Sequence, residues 1–455
     1  MSILNQIAYS GVRAAQVALA TTGQNIANVN TPGFSRLSPV MASLGGQGGL
    51  SIGGGVEITS IRRLSDDFQN QQLWRATTEQ NYYSSSQQYY TAIEGLMAGE
   101  GSSISVGLDR FFAALSEASA TPGSIALRQQ IISEASNLSQ RFNGLNTNVD
   151  LQIQALQEQR TAMVTEINGL TSNIALLNEK IIAAESVKSD TSALRDHRES
   201  LVGSLSQYAS LRIREMADGS ISVALANGQP LVAGNTAGQL QINGNANGEQ
   251  EVALSFAGSS FPLQQDSFGG AFGGLYKAEY GTLRPIQSDL HDMASALAQM
   301  VNDVLATGFD LNGNPGQPLL IYNAASTSEI LKVNGLTPEE LAFSSAAGES
   351  GNNEVLLGLL ELKNRTINVG GSQFTLNDAY AGLLGEIAST SRQNQSDLKS
   401  STTVTQTAQA QRDSVSAVNL DEEGVNLMNY QQAYQANMKV ITTANRLFDD
   451  MLAAF

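Results

Sequence analysis

Residues 138–181 read LSQRFNGLNTNVDLQIQALQEQRTAMVTEINGLTSNIALLNEKI, and the spacing of their apolar side chains decides the fold. Leu138, Phe142, Leu145, Val149, Ile153, Leu156, Arg160, Met163, Ile167, Leu170, Ile174, Leu177 and Ile181 recur at steps of three and four. The alternation breaks once, at Val149–Ile153–Leu156, and Arg160 is the one polar member. A stripe of this period marks one face of an α-helix. Its length predicts one long helix lying beside others in coiled-coil fashion. The remaining faces carry Gln, Asn, Ser and Thr with few charges.

Outward from this run, the helical period extends from Leu64 to about Leu211. Between Arg212 and Tyr280 the period falls to two, in Leu211–Arg214, Ile221–Leu225 and Val252–Phe256. Asp218-Gly219, Asn227-Gly228 and Asn247-Gly248 supply turns between the alternating segments. Helix returns over Thr282–Thr307. Thr337-Pro338-Glu339-Glu340 combines an N-cap, a proline at the first helical position and a capping-box glutamate. Asn394–Ser416 is polar and reads as a connector or an exposed helix. The fold class is therefore mainly α with an inserted β domain, a long antiparallel helical bundle or coiled coil made from the N- and C-terminal segments. Three layers are expected: 1–63 with 405–455 as an inner terminal-helix domain, 64–211 with 281–404 as a helical bundle, and 212–280 as a small β-rich outer domain.

Both ends of the chain are amphipathic. Leu4, Ala8, Gly11, Ala15, Ala18 and Thr22 form a stripe of small residues over Ser2 to about Val29, which permits close helix approach but buries little surface. Such a helix is marginal alone. It ends before Asn30-Thr31-Pro32-Gly33, the pattern of a type II turn, and glycines between Gly45 and Gly55 then alternate with strand-like Val56–Ile61. At the other end, Asn419 caps a helix whose first turn carries Asp421, Glu422 and Glu423. Leu427, Tyr434, Met438, Ile441, Phe448 and Leu452 define its apolar stripe, widened by Val440, Ala444, Leu447 and Met451. The economical arrangement packs the two terminal helices on each other and on neighbouring copies.

Composition narrows the function. Among 455 residues, 25 are basic and 42 acidic, giving a net charge of −17 that disfavours a nucleic-acid partner. There is no cysteine and only two histidines, His197 and His291, so thiolate chemistry is absent and no catalytic, metal or cofactor site is expected. No stretch suits membrane insertion, and Gln6, Ser10, Gly11, Arg13 and Gln16 interrupt the apolar segment that a cleaved signal peptide requires. Asp310, Asn312 and Asn314 imitate a calcium loop, but Pro315 and Ile321 stand where its glycine and bidentate glutamate belong, so a turn is expected. His197 in Arg195–Glu199 reads as a surface histidine on a charged helical patch, and His291, beside Asp289 and Asp292, lacks a nucleophile motif. Asp421, Glu422 and Glu423 are explained by helix capping.

Ala27-Asn28-Val29-Asn30-Thr31-Pro32-Gly33-Phe34-Ser35-Arg36 resembles the N-terminal signature of the bacterial flagellar rod, hook and hook-associated axial proteins. Asn429–Asn437, continuing through Lys439–Ala444, resembles their C-terminal signature. Val418–Glu423, Leu447–Leu452 and Thr121-Pro122-Gly123 with Ala126–Gln129 are similar to the hook-associated protein 1 (FlgK) branch. The resemblance implies a non-enzymatic structural subunit of the hook–filament junction, found outside the cell on the flagellum and exported by the flagellar type III route without signal cleavage. Implied partners are further copies in a ring, the hook protein, hook-associated protein 3 (FlgL) and a FlgN-type export chaperone. Asn28, Thr31, Pro32, Gly33 and Arg36 would shape the turn between layers. The C-terminal stripe would serve the chaperone first and the inner tube later. Another axial protein, the hook or distal rod subunit, is the nearest alternative, although such subunits have less helix in the middle. A secreted adhesin or binding protein is more distant.

Overall fold

The computed structural model describes residues 3–45, 53–245 and 248–453; Gly46, Gly48, Gly49 and Asn247 lie outside the described residues. The chain begins with α1 (Ile3–Ala27), a hairpin of β1 (Leu37–Leu44) and β2 (Gly55–Arg63), then α2 (Asp67–Ala98) and α3 (Ile104–Ser119). The expected long helix is α4 (Ile125–Ser186), 62 residues without interruption. Its stripe is buried from Leu138 to Ile181 except at Leu170, where Thr171 turns inward instead.

After α5 (Ser192–Tyr208) come two antiparallel sheets. One is ordered β3 (Leu211–Glu215), β4 (Ile221–Leu225), β5 (Pro230–Ala233), β6 (Thr236–Ala237). The other is β7 (Gln239–Gly244), β8 (Gln250–Phe256), β9 (Ser259–Leu263). The strands stop at Leu263, short of the expected Tyr280. Residues Gly270–Ala278 are helix α6, followed by a π-turn over Glu279–Leu283. Phe268, Phe272, Leu275 and Ala278 are buried at helical spacing, and this packing overrides the low helix propensity of the surrounding glycines. The remaining elements are α7 (Arg284–Leu305), β10 (Leu320–Tyr322), β11 (Leu331–Val333), α8 (Glu354–Glu361), β12 (Thr366–Val369), β13 (Ser372–Thr375), α9 (Leu376–Ser416) and α10 (Leu420–Ala453). The Thr337 capping box is formed, on a single 3-10 turn. The polar stretch Asn394–Ser416 is the C-terminal half of α9.

Contacts divide the chain into two compact units: Met1–Gln80, Val164–Gly270 and Ser400–Phe455 in the first, Asn81–Met163 and Ala271–Lys399 in the second. The β segment thus sides with the terminal helices down to Gly270. The second unit is cored by Ile93, Leu108, Phe111, Phe142, Val149, Leu290 and Leu297, all buried, and the buried Tyr380 hydroxyl donates to Met97 O at 2.7 Å.

Within both units, asparagines join helices to extended segments. A side-chain amide both donates to and accepts from the backbone of a single residue, as a neighbouring strand does. Among the described residues the pairs are Asn25 with Leu37, Asn143 with Leu331, Asn168 with Leu240, Asn178 with Ile221, and Asn302 with Leu320. Asn178 also donates to Gly234 O at 2.7 Å and accepts from the buried Arg198 at 2.9 Å. Burial pushes the Arg198 guanidinium down to about 10, with Arg195 adding to the shift. Asn178→Ala is expected to destabilise the protein by about 3 kcal/mol, since each buried polar group left unpaired costs about 1–3 kcal/mol; urea unfolding measures it.

Candidate assembly interface at the chain termini

The small side chains of α1 let α10 lie close against it, antiparallel. Asn5 donates to Asn445 Oδ1 at 2.8 Å, and a β-carbon at Gly11 would fall 2.5 Å from Asn437 Oδ1. Ala8, Ala15, Ala18 and Thr22 of the expected stripe are buried, joined by Val12, Ala14 and Thr21, while Gly11 is half-buried and Leu4 exposed. The β1–β2 hairpin is also fastened to α1. Ser10 accepts from Val56 N at 3.0 Å, and Asn25 holds both backbone groups of Leu37.

Most of the α10 stripe faces solvent. Leu427, Met438, Phe448 and Leu452 are exposed, Tyr434 and Ile441 half-covered, and Ala444 buried. Val425, Met428, Val440, Leu447 and Met451 add to the exposed apolar surface, as do Ile3 and Tyr9 of α1. So many exposed apolar side chains along one helix of a chain of −17 net charge mark an interaction site rather than a finished exterior.

The turn residues gather where the terminal pair meets the rest of its unit. Thr31 N donates to Asn28 O at 2.9 Å, and the Thr31 hydroxyl donates to Asn28 Oδ1 at 3.2 Å. Phe34 N donates to Thr31 O at 3.2 Å, with Pro32 and Gly33 (φ +81°) at the centre, closing the expected type II turn. Ser35 N donates to Asp196 Oδ2 at 3.2 Å. The Arg36 guanidinium donates to Glu422 at 2.5 Å and Glu423 at 2.8 Å. Burial opposes the Arg36 charge, but the two carboxylates outweigh it and hold its pKa above the ordinary value. Arg63 behaves likewise, with burial overcome by Glu199 and Asp196.

These long-range partners escaped the sequence reading. Asp196 looks solvated within Arg195–Glu199 yet is buried, whereas His197 is exposed as expected. Asp310 is committed to a turn, accepting from Asn312 N at 2.8 Å and Asn314 N at 2.7 Å. Burial raises its pKa, but the bonds from Asn314 and Asn312 outweigh that and hold it below the ordinary carboxylate value. A depressed folded value stabilises at neutral pH and loses that contribution as pH falls through it. Asp310→Ala should therefore cost about 2 kcal/mol at pH 7, and its deficit against the parent, read by urea unfolding, should shrink in acid. His291 Nδ1 lies 3.0 Å from the Tyr322 hydroxyl. Among the described residues no three His or acidic side chains are placed to hold a metal, and no helix is long and apolar enough to cross a membrane.

Residues 90–320, just over half of the chain, match the model of the flagellar hook-associated protein FlgK helical domain. The chain belongs to the FlgK family. Its ends match broader axial-protein models: residues 6–34 the flagella basal body rod protein, and 409–454 the C-terminal region of the basal body rod FlgEFG proteins. Flagellar hook-associated protein 1 of Escherichia coli K12 is 26% identical over 99% of this chain and 100% of its own length. The Bacillus subtilis 168 protein of that name is 24% identical over 98% of this chain and 97% of its own. The flagellar hook junction protein FlgK of Burkholderia pseudomallei shares the fold, with a TM-score of 0.67 and 18% identity, covering 76% of this chain and 99% of that one. In this FlgK-family chain Arg36, just past the N-terminal match, meets Glu422 and Glu423 inside the C-terminal match.

Proposed function

We propose that this chain is a structural, non-enzymatic subunit of the flagellar hook–filament junction, connecting hook to filament by self-assembly through α1 and α10. The observation that carries the reading is the apolar surface that α10 leaves uncovered, at the end of a chain related over nearly its full length to hook-associated protein 1. In this reading residues 1–63 and 405–455 line the inner tube, 64–211 and 281–404 with the helical 270–280 form the surrounding helical layer, and the strand segment from 212 to 263 lies outermost. Leu427, Tyr434, Met438, Ile441, Phe448 and Leu452 bind a FlgN-type chaperone before export, and neighbouring axial subunits afterwards. Leu4, Ala8, Gly11, Ala15 and Ala18 shape the partner helix, and Asn28, Thr31, Pro32, Gly33 and Arg36 set the turn between layers. Its partners are further copies in a ring, the hook protein and hook-associated protein 3 (FlgL). The subunit reaches the cell exterior by the flagellar type III route with its N-terminus intact. A strain lacking the gene should build hooks without filaments and shed flagellin into the medium, with attachment restored by the full-length chain. Normal filaments on the deletion strain would refute the reading.

A further inference from the structure

Two chain crossings, residues 28–36 and residues 417–419 between α9 and α10, connect the α1/α10 pair to the remainder of the first unit, and the β1–β2 hairpin is bonded to α1 through Asn25 with Leu37 and Ser10 with Val56. They are bonded to each other, since Arg36 N donates to Ser416 O at 2.9 Å. The side chain of Arg36 reaches onward to Glu422 and Glu423 at the start of α10. Glu423 is 2% exposed, so its carboxylate depends on this guanidinium. On the other side, Leu64 N donates to Arg36 O at 2.8 Å, and Arg63 next to it grips Asp196 and Glu199 of α5. The base of the β1–β2 hairpin thus holds α10 with one arginine and α5 with the other. The same joint buries two hydroxyls, Ser35 Oγ and Ser416 Oγ, that have no hydrogen-bond partner among the described residues. Strong ion pairs beside orphaned buried hydroxyls describe a joint that gains in one respect and loses in another when closed. Opening would hydrate the hydroxyls and release the carboxylates.

We propose that this joint is an ionic latch. Arg36 with Glu422 and Glu423 holds the α1/α10 pair closed against α5 and the end of α9, and release of the latch, with parting of the α1 bonds to Leu37 and Val56 of the hairpin, lets the pair swing as one body. The crossings at 28–36 and 417–419 absorb the backbone change. Building on the junction reading, such a swing lets one subunit seat its terminal pair against two polymers of different lattice.

The test uses the free full-length chain, whose lack of cysteine allows two unique spin labels. Labels at His197→Cys on α5 and Gln432→Cys on α10 should give one narrow distance distribution. Arg36→Ala should raise the population outside that distance roughly tenfold or more, because it strands a buried carboxylate. Labels at Gln6→Cys and Gln432→Cys should keep their distance, since the pair moves together. Glu422→Gln with Glu423→Gln should open the same joint without a stranded buried carboxylate, which covers the case where Arg36→Ala folds poorly. An unchanged α5–α10 distance in both variants, or a widened α1–α10 distance, overturns the latch. The measurement involves no assembled flagellum, so its failure is distinct from a failure of the junction reading.

Discussion

Phe448→Asp combined with Leu452→Asp is expected to abolish filament attachment and motility while leaving the free subunit as stable as the parent. The side chains are 50% and 58% exposed, and surface changes of this kind usually shift stability by less than about 0.5 kcal/mol. Assembly is a different matter. Covering the exposed parts of two such side chains contributes about 1–2 kcal/mol each, and aspartate in their place brings an unpaired carboxylate into a dry contact, costing about 3 kcal/mol or more each. In the proposed ring of identical copies the deficit would repeat at every contact. Motility of a complemented deletion strain and urea unfolding of the purified variant read the two halves of the prediction. Phe448→Leu with Leu452→Met serves as the control and should keep filaments attached.

The second large effect lies in the other compact unit, at Glu279. Its carboxylate is fully buried in the π-turn and receives the buried Arg160, Arg284 at 2.8 Å and Gln157 at 3.0 Å. Arg160 also lies 5.8 Å from the ring centres of Phe272, Tyr276 and Tyr280. Glu279→Ala removes the acid from this site and leaves a buried guanidinium without its carboxylate, a loss of about 3–5 kcal/mol. Total stabilities run to only about 5–15 kcal/mol, so the effect is visible in any unfolding experiment. Adding Arg160→Met should restore most of the loss, because an apolar replacement of a whole buried pair is often close to neutral. A double variant no more stable than Glu279→Ala would contradict the ion-pair account.

The contrast between these two sites shows what the amino-acid order could reveal. The stripe of α4 was legible because a helical period repeats locally, and Arg160 stood out within it as the polar member. Its partner was not legible, since Glu279 sits in a glycine-rich stretch whose helicity comes from packing of Phe268, Phe272 and Leu275. The type II turn at Pro32-Gly33 could be read because its chemistry is contained in four residues. The ions that Arg36 meets, 386 and 387 positions away, carry no local mark. Asparagines such as Asn25 and Asn178 looked like ordinary polar residues on helix faces. They act instead as substitute strand edges, a role set by the strand that arrives from elsewhere in the fold.

The most direct measurement compares thiol labelling of Phe448→Cys in the free subunit and in junction-bearing flagella, with Met216→Cys on the β segment as reference. Both parent side chains are exposed in the single chain, so both cysteines should react rapidly before assembly. After assembly Cys at 448 should be protected at least roughly tenfold while Cys at 216 stays reactive. Equal reactivity of the two positions in assembled flagella would contradict the assignment of the α10 surface.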